Sequence, residues 1–214
     1  LDAMAQLGGP ALWELAPADA RATYRSLSAL EQAEDVARVD DRLIPGTDGD
    51  IPARVYTPAA AVGEIHGVLL WLHGGGWVIG DLDTADSTCR ALANRAGCVV
   101  VSVDYRLAPE HPYPAGPDDG VAVARWLVEN AESEFGSGRL LVGGESAGGY
   151  MAAAVALRIR DELGAIDRVL GLELVFGVYD WGRSPSQRGI RPSDGPDILS
   201  PEGIELFGDC YLPW

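Results

Sequence analysis

The fold is decided by the stretch LLVGGESAGGY, which occupies residues 140–150. Its apolar start predicts a β-strand, and the run MAAAVAL at 151–157 predicts a helix directly after the glycines. Between them, Gly144, Ser146 and Gly148 have the Gly-x-Ser-x-Gly spacing of a nucleophile elbow. In such a turn, glycines keep side chains away from the neighbouring backbone. The spacing therefore predicts that Ser146 is a nucleophile raised above the sheet.

A second glycine motif, HGGGW at residues 73–77, follows another apolar run. Three glycines let the backbone curl so that N–H groups point into a cavity, as an oxyanion hole requires. The predicted donors are Gly74 and Gly75, with Ala147 of the elbow as the third. Each motif alone is compatible with a simple close-packed turn, but the two together in this order favour catalysis. His73 is interpreted as a residue that orients the loop.

The composition excludes several classes of partner. The 214 residues contain 16 basic and 32 acidic side chains, for a formal net charge of -16, and no lysine. This charge argues against nucleic acid and against anionic membrane surfaces. No apolar run reaches membrane-spanning length, and no signal peptide is recognised at the start of the sequence. Three cysteines without metal-ligand spacing predict free thiols, a reducing cytoplasmic location and no metal site.

Strands and helices are predicted to alternate along the chain. The predicted strands are 37–43, 51–56, 66–72, 98–103, 140–145 and 169–178, and the predicted helices are 17–36, 84–96, 117–132, 146–163 and 201–209. Turn-rich residues 45–50 join the first two strands as an antiparallel hairpin. The remaining alternation implies parallel strands with right-handed crossovers, which is an α/β layered fold.

A third motif, DYRLAPEHPYPA at residues 104–115, follows a buried strand. With it, the chain resembles the hormone-sensitive-lipase-like group of α/β-hydrolases, also called bacterial family IV esterases. The resemblance covers essentially the whole chain and departs from the usual pattern at Glu145 and Tyr150. It implies a mostly parallel mixed sheet flanked by helices with a helical cap, and hydrolysis of short- to medium-chain carboxylic esters without a cofactor. It also implies that Arg106 and Glu110 are structural.

The resemblance predicts three parts of the chain. These are N-terminal cap helices over 1–36, an incomplete hydrolase core over 37–180 and a cap segment over 181–214. The predicted partners are a small-molecule ester and, since family members often pair through their last strand, a second copy of the chain.

The sequence departs from the family in the catalytic triad. α/β-Hydrolases place the residues in the order serine, acid, histidine, but no histidine follows Ser146. The acid segment and last strands of the family are absent too, so we expect a C-terminally shortened piece that is nearly inactive alone. Asp180 and His111 are the substitutes considered, and both are interpreted as structural. The alternative is a ligand-binding protein on a hydrolase scaffold, like the gibberellin receptors, which resemble this family and lack the histidine.

Overall fold

The computed structural model describes residues 10–59, 65–179 and 201–212. Its centre is a six-stranded mixed sheet with the order β1-β2-β4-β3-β5-β6. The strands are β1 (Arg38–Pro45), β2 (Asp50–Thr57), β3 (Val68–Leu72), β4 (Val99–Val103), β5 (Leu140–Glu145) and β6 (Val169–Val175). β1 and β2 form the predicted antiparallel hairpin at one edge, and β4, β3, β5 and β6 are parallel.

Helices cover both faces of this sheet. They are α1 (Pro17–Ser28), α2 (Asp86–Ala96), α3 (Ala115–Phe135), α4 (Ala147–Arg158) and α5 (Pro201–Tyr211), with a π-helical turn at Ile159–Leu163 and 3₁₀ turns at Leu12–Glu14 and Ile166–Arg168. α2 packs on one face through Cys89 and Ala93, and α3 and α4 cover the other. Every residue of β3 and β4 is buried, because parallel strands between two helical layers have no solvated face. The predicted α/β layered fold, a mostly parallel mixed sheet flanked by helices, is confirmed.

Two predicted boundaries were wrong. The helix predicted over 17–36 ends at Ser28, and the following segment instead places Glu34 against Arg95 and Asn94 of α2. Polar contacts between segments therefore replace the helical hydrogen bonds that the local sequence allows. The strand predicted over 169–178 ends at Val175, because Phe176 has a φ of 39° and turns the chain away.

The remaining predicted elements agree with the structure to within about two or three residues. The π-helical turn completes the helix that was expected to reach Leu163. α5 extends from Pro201 to Tyr211, slightly beyond its predicted end. The rest of the predicted cap segment, like Asp180, lies outside the described residues. The division of the chain into domains stays a prediction.

Candidate active site

Ser146 occupies a strained turn between β5 and α4. Its φ of 52° and ψ of -118° are a backbone conformation that residues with side chains rarely adopt. Two hydrogen bonds hold it there: the Ser146 N–H donates to the Val175 carbonyl at 2.8 Å, and the Tyr150 N–H donates to the Ser146 carbonyl at 3.2 Å. The turn is thus fixed from β6 on one side and from α4 on the other.

The two glycines of the elbow are explained by the carbonyl at the end of β3. A Cβ atom on Gly148 would lie 1.9 Å from the Leu72 oxygen, and one on Gly144 would lie 2.4 Å from it. Neither separation is possible for real atoms, so only glycine allows this approach of β5 and α4 to β3. The Gly-x-Ser-x-Gly spacing is therefore a packing requirement of the turn that presents Ser146.

The glycine loop, defined here as residues 73–80, lies beside Ser146. Leu72 and Gly144 are register partners in the parallel pair β3 and β5, so the loop and the elbow leave the sheet at the same edge. A Cβ on Gly74 would lie 3.5 Å from the Ser146 Cβ. The structure thus places Gly74 close to Ser146, with Ala147 next to Ser146 in the chain.

Gly75 shapes the loop through its backbone. It has a φ of 119°, and its carbonyl accepts hydrogen bonds from the N–H groups of Val78 at 3.1 Å and Ile79 at 2.9 Å. Among the described residues, the Gly75 N–H donates to no backbone carbonyl. Ala147 is the first residue of α4, so its N–H has no acceptor within that helix. Both amides are therefore suited to receive a ligand oxygen.

Gly74 has a competing contact. Burial raises the pKa of the Glu145 carboxyl, and a hydrogen bond from the Gly74 backbone partly offsets that rise. Glu145 also packs closely, since a Cβ on Gly74 would lie 3.1 Å from the Glu145 Cγ. The Gly74 backbone thus lies close to a side chain of the elbow.

His73 is enclosed in the core of the loop. Its ring stacks on Tyr105 with 4.2 Å between centroids, and its Nδ1 lies 2.7 Å from the Gly74 carbonyl. The Tyr105 hydroxyl donates to the His73 carbonyl at 2.7 Å. Burial lowers the pKa of His73 to about 4. A neutral imidazole that is bonded to its own loop orients that loop and is not available to Ser146.

The other two histidines are placed differently. His66 precedes β3, at the opposite end of the parallel strands from Ser146, and its N–H donates to the Gly97 carbonyl at 3.1 Å. His111 is exposed in the segment between β4 and α3, and its N–H donates to the Leu107 carbonyl at 2.9 Å. None of the three histidines is therefore shown with a contact to Ser146.

The third motif supports the site through ion pairs. Arg106 lies against the buried Asp119 carboxylate, with its N–H groups at 2.9 to 3.1 Å from the carboxylate oxygens, and also pairs with Asp48 at 2.8 Å. Glu110 pairs with Arg21 of α1 at 2.6 Å. Arg106 and Glu110 thus join separate elements, as expected for structural residues.

Arg21 supports the site although no sequence motif contains it. Its guanidinium donates to the Val78 carbonyl at 2.8 Å and the Ala108 carbonyl at 2.9 Å, as well as to Glu110. It therefore ties α1 to both the glycine loop and the third motif. These partners lie 57 to 89 positions away in the sequence, so no local pattern indicates them.

The cap helix, α5, closes over the glycine loop. A Cβ on Gly76 would lie 2.6 Å from the Phe207 ring, and the Tyr211 ring stacks on Trp77 with 4.5 Å between centroids. Between α5 and the N-terminal segment is an apolar cavity of about 140 Å³. Its lining residues are Leu12, Leu15, Pro17, Ala20, Val78, Leu206, Phe207 and Cys210.

Two kinds of feature are not found in the described part of the chain. No group of three or more His, Cys, Asp or Glu side chains in residues 10–59, 65–179 and 201–212 could hold a metal ion. Within the same ranges, no helix is long and apolar enough to cross a membrane.

An α/β-hydrolase is the class that this fold and site define, since a serine elbow follows a central parallel strand beside a glycine loop. The chain belongs to the alpha/beta hydrolase fold family, whose model matches residues 69–214. The resemblance to the hormone-sensitive-lipase-like group is thereby confirmed.

Similar proteins agree with this assignment. The chain is 48% identical over 201 residues to the carboxylesterase NlhH of Mycobacterium tuberculosis, which covers 91% of the chain and 60% of NlhH. It is 50% identical over 177 residues to the esterase LipI of the same species, covering 81% of the chain and 54% of LipI. The chain therefore spans about 60% of the length of the first of these curated relatives.

Solved structures match along the whole chain. The ester-hydrolase EH1AB1 from the metagenome of Lake Arreo, in complex with a derivative of bipyridine phosphonate, has a TM-score of 0.86 at 38% identity. That match covers 100% of this chain and 67% of the other. An esterase of Pyrobaculum calidifontis has a TM-score of 0.86 at 34% identity, covering 99% of this chain and 69% of the other.

Proposed function

We propose that the whole protein is a carboxylic ester hydrolase that acts on short- to medium-chain esters through an acyl-enzyme on Ser146. The observation that carries the proposal is the strained φ of Ser146, held between two obligatory glycines and beside the glycine loop. The relatives named as carboxylesterase and esterase support the same reaction.

In this reaction the Ser146 oxygen attacks the ester carbonyl, and the bond to the alcohol breaks as the acyl-enzyme forms. Water then attacks the acyl group and releases the acid. The proposed oxyanion donors are the N–H groups of Gly74, Gly75 and Ala147. Gly75 and Ala147 have the stronger support, because the Glu145 side chain packs closely against Gly74.

Ser146 needs a base, and we propose that a histidine and an acid are supplied by sequence that follows Trp214 in the whole protein. The support is that no histidine follows Ser146 in these 214 residues and that the relatives are longer. Asp180 and His111 remain the alternatives to test. The coding sequence beyond Trp214 checks the proposal directly: an acid followed by a histidine supports it.

A second candidate is a non-catalytic ligand-binding protein on the same scaffold. The missing histidine favours it, whereas the intact elbow and glycine loop favour the enzyme. A whole protein that binds an ester analogue but does not turn esters over would decide for the second candidate.

Hydrolysis of p-nitrophenyl esters of increasing acyl length tests the first candidate. We expect Ser146→Ala to lose roughly 10⁴-fold or more in kcat, because no covalent intermediate can form. A metal chelator should have no effect. Activity that survives in Ser146→Ala, or that a chelator abolishes, would refute the assignment.

Gly75→Ala tests the glycine loop. Its Cβ would lie 2.1 Å from the Ile79 carbonyl, so the loop must shift, and we expect roughly a hundredfold loss of kcat for a displaced donor. Gly164→Ala is the matched control, because Gly164 also has a positive φ of 61° but nothing lies within 4 Å of its Cβ position. Equal losses in the two variants would indicate general backbone strain.

We propose further that the protein works in the cytoplasm and forms homodimers. Three free cysteines, two of them buried, support the first point, and the family resemblance supports the second. Cell fractionation and light scattering of the whole protein test these two points.

A further inference from the structure

The glycine loop has an unusual backbone next to its oxyanion donors. Gly75, Gly76 and Trp77 have consecutive φ values of 119°, 59° and 63°. A positive φ is uncommon for a residue as large as tryptophan, and such a conformation persists only where surrounding contacts hold it. The elements that contact Gly76 and Trp77 therefore control where the Gly75 N–H points.

Two side chains of the cap helix make these contacts. Phe207 packs directly on Gly76, where no Cβ could be accommodated, and Tyr211 stacks on the Trp77 ring with an angle of 11° between planes. The side chains of Trp77, Phe207 and Tyr211 are all at least nine-tenths buried. The two cap residues are four positions apart, so they lie on the same face of α5.

Tyr211 also reaches the nucleophile helix. Its ring packs edge-on against the ring of Tyr150, which lies one turn after Ser146. The two ring centroids are 6.4 Å apart, and the angle between the ring planes is 88°. Its carbonyl accepts a hydrogen bond from the Tyr113 N–H at 3.0 Å, which anchors the end of the cap helix to the segment before α3. One face of α5 thus contacts both the glycine loop and α4, the helix that follows Ser146.

We propose that Phe207 and Tyr211 are positioning residues that hold the glycine loop in its oxyanion-binding conformation. The expected effect on kcat rests on the proposed ester hydrolysis. The expected effect on the conformation of the glycine loop does not. Removing either ring frees the strained backbone at Gly76 and Trp77, so the oxyanion donor loses its fixed direction. Substrate binding in the ground state depends less on that direction than the transition state does.

The test uses Tyr211→Leu and Phe207→Leu in the full-length protein, with Tyr211→Phe as the matched control. The Tyr211 hydroxyl is buried and has no hydrogen-bond partner among the described residues, so Tyr211→Phe keeps the stacked ring and removes no hydrogen bond seen in that part of the chain. We expect the two leucine variants to lose about tenfold or more in kcat on p-nitrophenyl acetate, with KM changed less than threefold. Tyr211→Phe should stay within twofold of the wild type.

Two further measurements separate the possible outcomes. Thermal unfolding shows whether each leucine variant is folded at the assay temperature. Hydrogen exchange of the amides of residues 74–79 should be faster in Tyr211→Leu than in Tyr211→Phe, whether or not the protein hydrolyses esters. A wild type without esterase activity contradicts the proposed function, and the exchange rates then decide the positioning role alone. Folded leucine variants with unchanged kcat and unchanged exchange would overturn the inference.

Discussion

The imidazole of His73 is enclosed by the Tyr105 ring and by the turn at Gly80, and only 2% of it is exposed. Burial lowers its pKa from 6.5 to about 4, so the unfolded chain binds a proton in this interval that the folded chain does not. Stability should therefore be full above pH 6.5 and fall as the pH drops towards 4, by at most about 3 kcal/mol.

His73→Gln tests this dependence. We expect the free energy of unfolding of the whole protein, from urea titrations at pH 7 and pH 4.5, to depend less on pH in the variant than in the wild type. Asp104 must be considered in the same interval, because burial and the neighbouring Asp81 raise its pKa to about 6. That effect has the opposite sign: stability decreases as the pH rises through the folded pKa.

Asp104→Asn is therefore the matched comparison. It should steepen the loss of stability on acidification, whereas His73→Gln should flatten it. Identical pH profiles for the wild type and His73→Gln would show that His73 is not kept neutral by the fold.

The residues around Ser146 differ in how far their roles could be predicted from the sequence. Gly144 and Gly148 were recognisable because their constraint belongs to one turn and has a fixed spacing. The close packing of Glu145 against Gly74 was not, because it depends on the distance between two loops. The contact between Trp77 and Tyr211 likewise joins residues more than a hundred positions apart.

Among the elements, α1 is tied to both the glycine loop and the third motif by the side chain of Arg21. Arg21 donates to two carbonyls and forms an ion pair with Glu110, and it is only partly exposed. Arg21→Met keeps an apolar stem but leaves the Val78 and Ala108 carbonyls without this donor. We expect a loss of about 1 to 3 kcal/mol in the free energy of unfolding.

Arg160→Met is the control for this change. Arg160 also pairs with a carboxylate, that of Asp161, but both side chains are more than half exposed. Exposed pairs contribute little, so the control should change the unfolding free energy by less than about 0.5 kcal/mol. Urea titration of both variants gives the comparison, and equal effects would contradict the role assigned to Arg21.

Element types were predictable because periodicity reports burial, and burial here follows from a sheet between two helical layers. The residues at which helices and strands end were harder to predict. The helix expected to continue to Val36 stops at Ser28 because Glu34 and Asp35 interact with α2, which no local pattern reveals. The strand expected to reach Val178 stops where Phe176 adopts a positive φ.

At the scale of the molecule, β6 forms an edge of the described sheet and carries uncovered apolar side chains. Leu170, Leu172 and Leu174 are 51%, 45% and 39% exposed, and Phe176 is 74% exposed. An edge strand with unpaired backbone groups and an apolar face favours association. We therefore expect residues 1–214, expressed alone, to self-associate and to hydrolyse esters poorly beside the full-length protein.

Light scattering and ester turnover of the two proteins check this expectation. Leu172→Glu in the 214-residue chain should reduce the association, because it places a charge in the middle of the apolar edge. Glu173, the next residue along β6, offers the control Glu173→Gln, which should not. A monomeric 214-residue chain with activity comparable to the full-length protein would refute the expectation and make His111 the first base to mutate.

The three thiols differ in burial, so they become accessible to a reagent at different stages of unfolding. Cys89 and Cys98 are buried beside the sheet, and burial raises the pKa of Cys98 to about 11 and that of Cys89 further, whereas Cys210 is half-buried on α5. A thiol-specific label followed by mass spectrometry should therefore modify Cys210 first, because its thiol is the least buried of the three. Cys89 can be labelled only after α2 separates from the strands. The order in which the thiols are labelled therefore reports the order in which these parts of the molecule open.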